Sequence, residues 1–301
     1  MSISVSKIKK WIKMLNGNSI DHVSQGIGCY FSKEELKGYF NDLTGKVLLQ
    51  EELLGNDRLP LVSDDNDKEV IFPVAIIQYG LGCYDLFLKT SDKLYYKKFL
   101  QCVVWAAKNQ LENGAWDNFS VFFADHPYGA MCQGEAASLL LRAYKETNNE
   151  EYLFRAKHAI DFMLLPVEKG GVTKNTEYGP CFLECTNCSP ILNGWIFALF
   201  GLYDFCFVDP SYSSIFEEAI NCLTKTIGKY DSNYWSFYDM DNHIASPFYH
   251  DLHIAQLVAL ETVTNNEEYT RLRMRFENYK RSKYKSTKAF IIKAVQKVLE
   301  R

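Results

Sequence analysis

The stretch Ser246-Pro-Phe-Tyr-His-Asp-Leu-His-Ile-Ala-Gln-Leu257 opens a segment whose pattern decides the fold. Apolar residues continue at helical spacing up to a polar turn at residues 264–266, Thr-Asn-Asn, and a second helix is predicted to begin near Tyr269. A single pair of helices cannot bury its own apolar face, so we expect this hairpin to pack beside others like it.

Three earlier segments repeat this pattern, beginning at residues 72–75, 128–131 and 189–192. Each continues as an apolar helix and breaks at a polar turn before a second helix. The tyrosines that follow the four turns lie 57, 60 and 57 residues apart, at Tyr95, Tyr152, Tyr212 and Tyr269. A fixed period of two helices per unit predicts an all-α fold, an incomplete (α/α) toroid or barrel of about four helical hairpins.

An open superhelix would also satisfy the repeat, but the linkers favour closure. Residues 113–127, 170–190 and 231–247 are long, aromatic and rich in Gly and Pro, and all three fall at the same end of the repeat. Long loops gathered at one end of a scaffold are where binding and catalytic residues usually lie. We therefore expect the functional site at that end of the barrel.

The remaining residues flank this barrel, which is predicted for residues 71–280. Residues 1–70 are expected to form an amphipathic helix over 1–16 and then an irregular arm packed on the body, with short strands at 59–62 and 70–72. Residues 281–301 are expected to form a basic C-terminal helix, since 11 Lys and Arg stand against two acidic residues between 271 and 301.

Composition and charge narrow the class of protein and its partners. A content of 47% hydrophobic and 15% aromatic residues is ample for a packed core, so a folded chain is expected. Nine cysteines, no signal-peptide pattern and no membrane-spanning run predict a cytoplasmic protein. The basic termini favour a polyanion or an anionic membrane surface, such as the inner membrane face, as a peripheral neighbour. The sequence is compatible with a homodimer, and a nucleic-acid partner is not expected. The cysteines at Cys181, Cys185 and Cys188 lack the fourth ligand that a zinc site needs.

Polar residues recur near the start of the first helix of each hairpin. Gln133, Asn193 and His250 each lie 19 residues before the tyrosine of their repeat, and Gln78 lies 17 residues before Tyr95. Such groups either cap backbone amides or form a ring of contacts to sugar hydroxyls and carboxylates. Amides and an imidazole, in place of Ser, Thr or Asp, favour the ring of sugar contacts.

The same end of the barrel is rich in tyrosine, while the chain has no Gly-rich phosphate loop and no nucleophile elbow. A phenol is a base at neutral pH only when a neighbour lowers its pKa from about 10, a role expected of His250 and His253 beside Tyr249. Such a base suits abstraction of the C5 hydrogen of a uronic acid. The proton then returns on the opposite face, which is epimerisation, or the 4-linked sugar is expelled, which is elimination.

Four motifs between about residues 72 and 280 resemble the carboxy-terminal domain of the D-glucuronyl (heparosan-glucuronate) C5-epimerases. They are Phe72-Pro73 with Gln78-Tyr79-Gly80-Leu81, Ala130-Met131 with Gln133-Gly134, Leu192-Asn193-Gly194 with Gly201-Leu202-Tyr203-Asp204, and Tyr238-Asp239 with Tyr249-His250-x-x-His253. The resemblance implies a compact, bacterial-type isomerase that converts D-glucuronate to L-iduronate in an acidic, heparosan-like or capsular polysaccharide. It implies no nicotinamide cofactor, and we expect no metal or other cofactor.

The motifs assign Tyr249 and Tyr238 as the acid/base groups, with Glu184 as a third catalytic candidate. Substrate contacts are expected from eight residues: Gln78, Tyr79, Tyr128, Gln133, Tyr178, Asn193, His250 and His253. The chain departs from the family at Cys185, where a Tyr often follows the Glu, and at Asp241, where animal enzymes carry an Arg suited to binding a carboxylate. The alternatives are a polysaccharide lyase and a non-catalytic glycan-binding subunit of a capsule-synthesis complex.

Overall fold

The arm comes first in the computed structural model, which describes residue 19, residues 22–64 and residues 67–299. The arm carries a short helix, α1 (Thr44–Leu48), and an antiparallel pair of strands, β1 (Val62–Ser63) and β2 (Glu69–Val70). The observed strands are therefore shorter than those predicted at 59–62 and 70–72, and they are shifted along the sequence. Pro60 has no N–H to donate to a ladder, which disfavours an earlier start. The helix predicted for residues 1–16 lies outside the described residues.

Four helical hairpins form the body, which confirms the predicted all-α fold. They are α2 (Pro73–Thr90) with α3 (Lys93–Asn109), α4 (Ala130–Thr147) with α5 (Glu150–Leu164), α6 (Leu192–Cys206) with α7 (Ser213–Thr226), and α8 (Pro247–Thr264) with α9 (Glu267–Arg281). The inner helices α2, α4, α6 and α8 pack side by side in chain order, and each outer helix packs on its own partner. This row of helical pairs is the incomplete toroid.

A last helix, α10 (Lys283–Leu299), packs on α9. It keeps large apolar side chains at the surface, among them Tyr284, Ile291 and Leu299. Across the parts of the chain that the structure describes, every helix is too short or too polar to cross a bilayer.

The arm contacts both ends of the row of inner helices. α1 packs on α2, while the ring of His22 meets the rings of Phe248 and Tyr249 at the start of α8, with centroids 5.2 and 5.8 Å apart. In between, Phe40 stacks on Phe200 of α6 at 4.1 Å. The arm therefore connects the first and last inner helices and completes the wall of the barrel.

A buried arginine of α4 holds the arm in place. Arg142 donates hydrogen bonds to the carbonyl oxygens of Lys37 and Gly38 and to the carboxylate of Asp204, the last at 2.6 Å. Both charged side chains are almost fully buried. Removing either one would leave its partner as an uncompensated buried charge, which is strongly destabilising.

The turns inside the hairpins repeat in detail. In three of the four, the first helix ends at a residue with left-handed φ: Ser91 at 59°, Asn148 at 52° and Asn265 at 53°. The next residue caps the second helix by accepting a backbone N–H, as Asp92, Asn149 and Asn266 do. Short polar side chains suit both positions, which explains why these turns were visible in the sequence.

Two glycines set the distance between α4 and α6. A Cβ built on Gly201 would lie 2.3 Å from the carbonyl oxygen of Gly134, and one built on Gly134 would lie 2.7 Å from the Cα of Ala198. Neither approach leaves room for a side chain, so these glycines let the two helix backbones touch.

The linkers at one end of the barrel carry the remaining structure. The second linker forms an antiparallel hairpin, β3 (Thr173–Thr176) and β4 (Gly179–Phe182), and the third is tied to α6, because the N–H of Leu192 donates to the carbonyl of Tyr238 at 3.0 Å. Glu184, just after β4, and Tyr238 are thereby placed beside the N-terminal ends of the inner helices.

Candidate active site

A cleft of about 260 Å³ opens at this end of the barrel. All four inner helices and the arm contribute to it, and so does the first linker, which adds Phe119 and Phe122 beside Phe72. Its polar lining comprises His22, Gln25, Lys46, Ser63, Gln78, Asn118, Glu184, Asn193 and Tyr249. Aromatic walls with a few converging polar groups are typical of a ligand site.

Glu184 carries a partly buried carboxyl group that lines this cleft. Its backbone is fixed on both sides, since the carbonyl of Leu183 accepts the N–H of Ala130, the first residue of α4, and the N–H of Leu183 donates to Val172. Its carboxyl packs against Gly194, where an added Cβ would fall 2.1 Å from Oε2. Oε2 is buried and has no hydrogen-bond partner among the described residues. Burial raises the pKa of Glu184 to about 7, which suits proton transfer near neutral pH.

Tyr249 lies in the first turn of α8, where its N–H donates to the side chain of the capping residue Ser246. Its ring lines the cleft and lies 4.8 Å from the ring of Tyr238 between centroids. The two hydroxyls share a hydrogen bond, and burial, Glu184 and this hydrogen bond all raise the pKa of Tyr238 well above its usual value. Tyr238 is therefore a neutral phenol at neutral pH, a hydrogen-bond partner behind Tyr249.

Two of the predicted substrate contacts also line the cleft. Gln78 donates its amide to both carboxyl oxygens of Glu135, at 2.9 and 3.1 Å. Asn193 leaves its side-chain oxygen buried and without a partner among the described residues, while its backbone carbonyl accepts from Gln256. An unpaired buried acceptor in a cleft is suited to a ligand hydroxyl, because that bond would offset its desolvation.

Three other predicted contacts lie behind the cleft, so the structure corrects their placement. The amide of Gln133 is fully buried, where it accepts the N–H of Trp116 and donates to the carbonyl of Gly129. His250 stacks on Trp235 with centroids 3.6 Å apart and bonds Ser236 through Nδ1. The residues that bind Gln133 and His250, which are Trp116 and Ser236, both come from linkers.

His253 is also fully buried, and its Nδ1 lies 3.0 Å from the Ser236 hydroxyl. Burial lowers the pKa of His250 to about 3 and that of His253 well below its usual value. Both rings are therefore neutral at neutral pH. They do not supply the cation that was expected to lower the pKa of Tyr249.

The remaining predicted contacts are tyrosines that the structure keeps away from the cleft. Tyr79 is buried on the other side of α2 and donates its hydroxyl to the carbonyl of Gln50. Tyr128 packs edge-on against Phe162 at 5.1 Å. Tyr178 is exposed in the turn between β3 and β4 and does not line the cleft.

The sequence patterns missed Lys46, which lines the cleft, and Glu135, which accepts hydrogen bonds from the lining residue Gln78. Glu135 of α4 is fully buried, and burial raises its pKa to about 8 although Gln78 and Lys46 both lower it. A glutamate within the apolar run of α4 was a usable signal, because an acid is rarely fully buried without partners. Lys46 comes from the irregular arm, where no periodicity pointed to it.

Comparison with known proteins assigns the family. A family model described as the D-glucuronyl C5-epimerase C-terminus matches residues 112–278. An uncharacterised protein of Methanocaldococcus jannaschii is 33% identical over 150 residues, covering 47% of this chain and 48% of that protein. The D-glucuronyl C5-epimerase of Caenorhabditis elegans is 24% identical over 221 residues, covering 62% of this chain and 36% of that protein. The chain thus spans less than half the length of either relative.

Among solved structures, the GH76A α-1,6-mannanase of Salegentibacter sp. HEL1_6 superposes with a TM-score of 0.49 at 15% identity, over 78% of this chain and 68% of the mannanase. The family match extends over more than half of the sequence. The chain belongs to the D-glucuronyl C5-epimerase C-terminal family.

Proposed function

We propose that this family member is a polysaccharide uronate C5-epimerase, which converts D-glucuronate to L-iduronate residues in a heparosan-like or capsular glycan. The observation that carries the proposal is the meeting of Glu184 and Tyr249 on one cleft. Glu184 offers a buried oxygen that no described residue occupies, and Tyr249 offers a phenol backed by Tyr238. Epimerisation needs two such groups, one to take a proton and one to give it.

In this proposal Glu184 is the base. With a pKa of about 7, the carboxyl is partly ionised at neutral pH. Its carboxylate is basic enough to accept a proton from carbon in a site that excludes water. It takes the C5 proton, and the electrons of the broken C5–H bond move into the C6 carboxylate to give an enediolate. This revises the expectation that the tyrosines supply the base, because the buried Tyr238 stays protonated.

Tyr249 is then the acid. Its O–H bond breaks and gives the proton to C5 on the opposite face, and the enediolate electrons form the new C5–H bond. The site is left with a protonated Glu184 and a Tyr249 phenolate, which the Tyr238 hydroxyl stabilises by hydrogen bonding. Return of one proton from Glu184 to Tyr249 through solvent restores the starting state, so no co-reactant is consumed.

The aromatic part of the cleft supports a carbohydrate as ligand. Phe72 lies 6.1 Å from Phe119 and 5.8 Å from Phe122 between ring centroids, and all three line the cleft. Apolar ring faces next to polar groups complement sugars, which present C–H faces and hydroxyl edges.

Product analysis tests the proposal. Purified protein is incubated with heparosan, and the polymer is examined by NMR and by ultraviolet absorbance. New iduronate signals without a new absorbing double bond are expected. An absorbing unsaturated uronate would instead identify a lyase, because elimination leaves a C4–C5 double bond. Binding with no chemical change in heparosan, chondroitin or an uronate capsule polymer would leave a non-catalytic glycan-binding protein.

A further inference from the structure

The last helix, α10, presents an apolar stripe to solvent. Four large apolar side chains on it are at least half exposed: Tyr284 at 77%, Ile291 at 56%, Val295 at 50% and Leu299 at 74%. They follow one another at intervals of seven, four and four residues, so they lie on one side of the helix. Single exposed apolar residues are ordinary, but a contiguous row of them marks an interaction surface.

The opposite side of α10 holds the helix against the body. Ala289 is buried there. Gln296 binds the third linker in both directions, since its Oε1 accepts the N–H of Ile244 at 2.8 Å and its Nε2 donates to the carbonyl of Asn242 at 3.0 Å. The helix is therefore fixed with the apolar stripe facing outward.

Positive charge accompanies this stripe. Residues 283–299 contain five lysines and no acidic residue, although the whole chain has a net charge of −4. Three of these lysines form no ion pair with any described residue: Lys283, Lys285 and Lys288. Lys288 lies within the apolar stripe, and its Nζ is 4.1 Å from the centroid of the Tyr234 ring. The outward side of α10 therefore combines apolar side chains with positive charge that no carboxylate there neutralises.

These two features together favour an anionic lipid surface over other partners. A soluble acidic polysaccharide binds lysines but leaves the aliphatic side chains in water. A second copy that pairs through α10 about a two-fold axis brings two sets of lysines against each other. An anionic membrane surface accommodates both features, because the apolar side of such a helix enters the boundary between headgroups and acyl chains while its cations stay with the headgroups.

We propose that α10 binds a membrane surface that contains anionic lipids. The four side chains of the apolar stripe enter the acyl boundary, and Lys283 and Lys288 contact the lipid headgroups. The residues of α10 do not line the cleft, so this inference concerns a separate surface and does not rest on the proposed epimerase reaction.

Vesicle binding tests the proposal. The full chain is mixed with phosphatidylcholine vesicles that contain about 30% phosphatidylglycerol or with vesicles of phosphatidylcholine alone, and the bound fraction is measured against lipid concentration by sedimentation. The variant Ile291→Gln/Val295→Gln removes two side chains of the stripe and keeps good helix formers. The matched control, Leu94→Gln/Phe154→Gln, removes two side chains of similar exposure, 50% and 57%, from the outer helices α3 and α5.

The wild type should bind the anionic vesicles at least about 10-fold more tightly than the neutral ones, because each lysine near an anionic surface adds to binding. Ile291→Gln/Val295→Gln should raise the lipid concentration for half-binding at least about 10-fold, and the control should match the wild type. Lys283→Glu/Lys288→Glu should weaken binding to the anionic vesicles about 10-fold or more, and salt at about 0.5 M should do the same to the wild type.

The proposal would be overturned by equal binding to both kinds of vesicle, by binding to neither, or by unchanged binding of Ile291→Gln/Val295→Gln. A dimer in sedimentation velocity that this variant does not form, without vesicle binding, would assign the stripe to a second copy. Binding to heparosan that Lys283→Glu/Lys288→Glu abolishes, without vesicle binding, would assign the lysines to a polysaccharide.

A spectroscopic readout covers the case in which Ile291→Gln/Val295→Gln does not fold. Tyr284→Trp places an indole at the most exposed position of the stripe. Its fluorescence should shift to shorter wavelength with anionic vesicles, and an unchanged spectrum would contradict insertion. None of these outcomes depends on C5 exchange, so the membrane surface and the proposed epimerase fail separately.

Discussion

Replacing Glu184 by Gln removes the proposed base while keeping its shape. The carboxyl packs against Gly194, and its buried Oε2 has no hydrogen-bond partner among the described residues, so the amide fits the same space. We expect C5 exchange to fall about 100- to 10,000-fold, the range that a general base contributes, because Glu184 is the one acidic side chain among the described residues that line the cleft. The same variant makes a prediction for stability that is independent of any substrate.

The sign of that prediction follows from the direction of the pKa shift. Glu184 is expected to ionise near 4.5 in the unfolded chain and near 7 in the folded protein. The unfolded chain therefore loses this proton first as the pH rises, and the wild type loses stability between those values. The full rise corresponds to about 3 kcal/mol, of which about 2.5 kcal/mol develops between about pH 5 and pH 8. The Glu184→Gln variant has no carboxyl at this position, so its free energy of unfolding does not fall in this way as the pH rises.

Chemical denaturation at both pH values measures the effect. The free energy of unfolding of Glu184→Gln, relative to wild type, should be about 2 to 3 kcal/mol more favourable at about pH 8 than at about pH 5. Glu177→Gln, in the exposed turn between β3 and β4, is the matched control and should show no such difference. A relative stability that does not change with pH would refute the buried, high-pKa carboxyl. Exchange near the wild-type rate would refute Glu184 as the base.

Three further substitutions test the acid, the helix crossing and the arm. Tyr249→Phe should lower C5 exchange about 100- to 10,000-fold and should cost about 1 to 3 kcal/mol of stability, because the Tyr238 hydroxyl loses its hydrogen-bond partner. A wild-type rate would remove Tyr249 from the mechanism. Gly201→Ala should lower the free energy of unfolding by about 2 kcal/mol or more, because its Cβ would lie 2.3 Å from the Gly134 carbonyl oxygen. The control is Gly55→Ala, whose added Cβ would have nothing within 4 Å. Equal stability of the two variants would contradict the close crossing. Arg142→Met should lower the free energy of unfolding by about 3 to 5 kcal/mol, because it leaves Asp204 buried without its partner. It should also expose the arm to proteolysis. An intact arm and unchanged stability would show that this pair does not anchor the arm.

The fold was predictable because its signals are local. Turns such as Thr147-Asn148-Asn149 and Thr264-Asn265-Asn266 combine a left-handed helix end with an N-cap, and the residue types suited to those two positions recur in the sequence. The period between the following tyrosines then fixed the number of hairpins. The exact strand limits in the arm were not predictable, because two-residue strands carry almost no periodic signal.

The site was predictable only where a side chain meets the cleft directly. Asn193, Gln133 and His250 occupy equivalent positions in their repeats, yet only Asn193 lines the cleft. Trp116 and Ser236, both from linkers, bind the other two. A repeat specifies where a side chain begins, but it does not specify which linker residue folds over it.

Lys46 also could not be predicted to line the cleft from the sequence. Its place on the cleft depends on the arm, and the arm is held by bonds from Arg142 to residues 104 and 105 positions away. Neither hydrophobic period nor local motif records contacts of that separation. Glu184 was identified only through the family resemblance, although burial gives it the pKa expected of a base.

Deuterium incorporation at C5 is the measurement that tests the central claim most directly. Wild-type protein is incubated in D2O with heparosan, and with chondroitin and an uronate capsule polymer in parallel, and C5 is followed by NMR. The proposed mechanism predicts loss of the C5 hydrogen signal from glucuronate, appearance of C5-deuterated iduronate, and neither change with Glu184→Gln. Retention of every C5 hydrogen in polymers that the protein binds would contradict it.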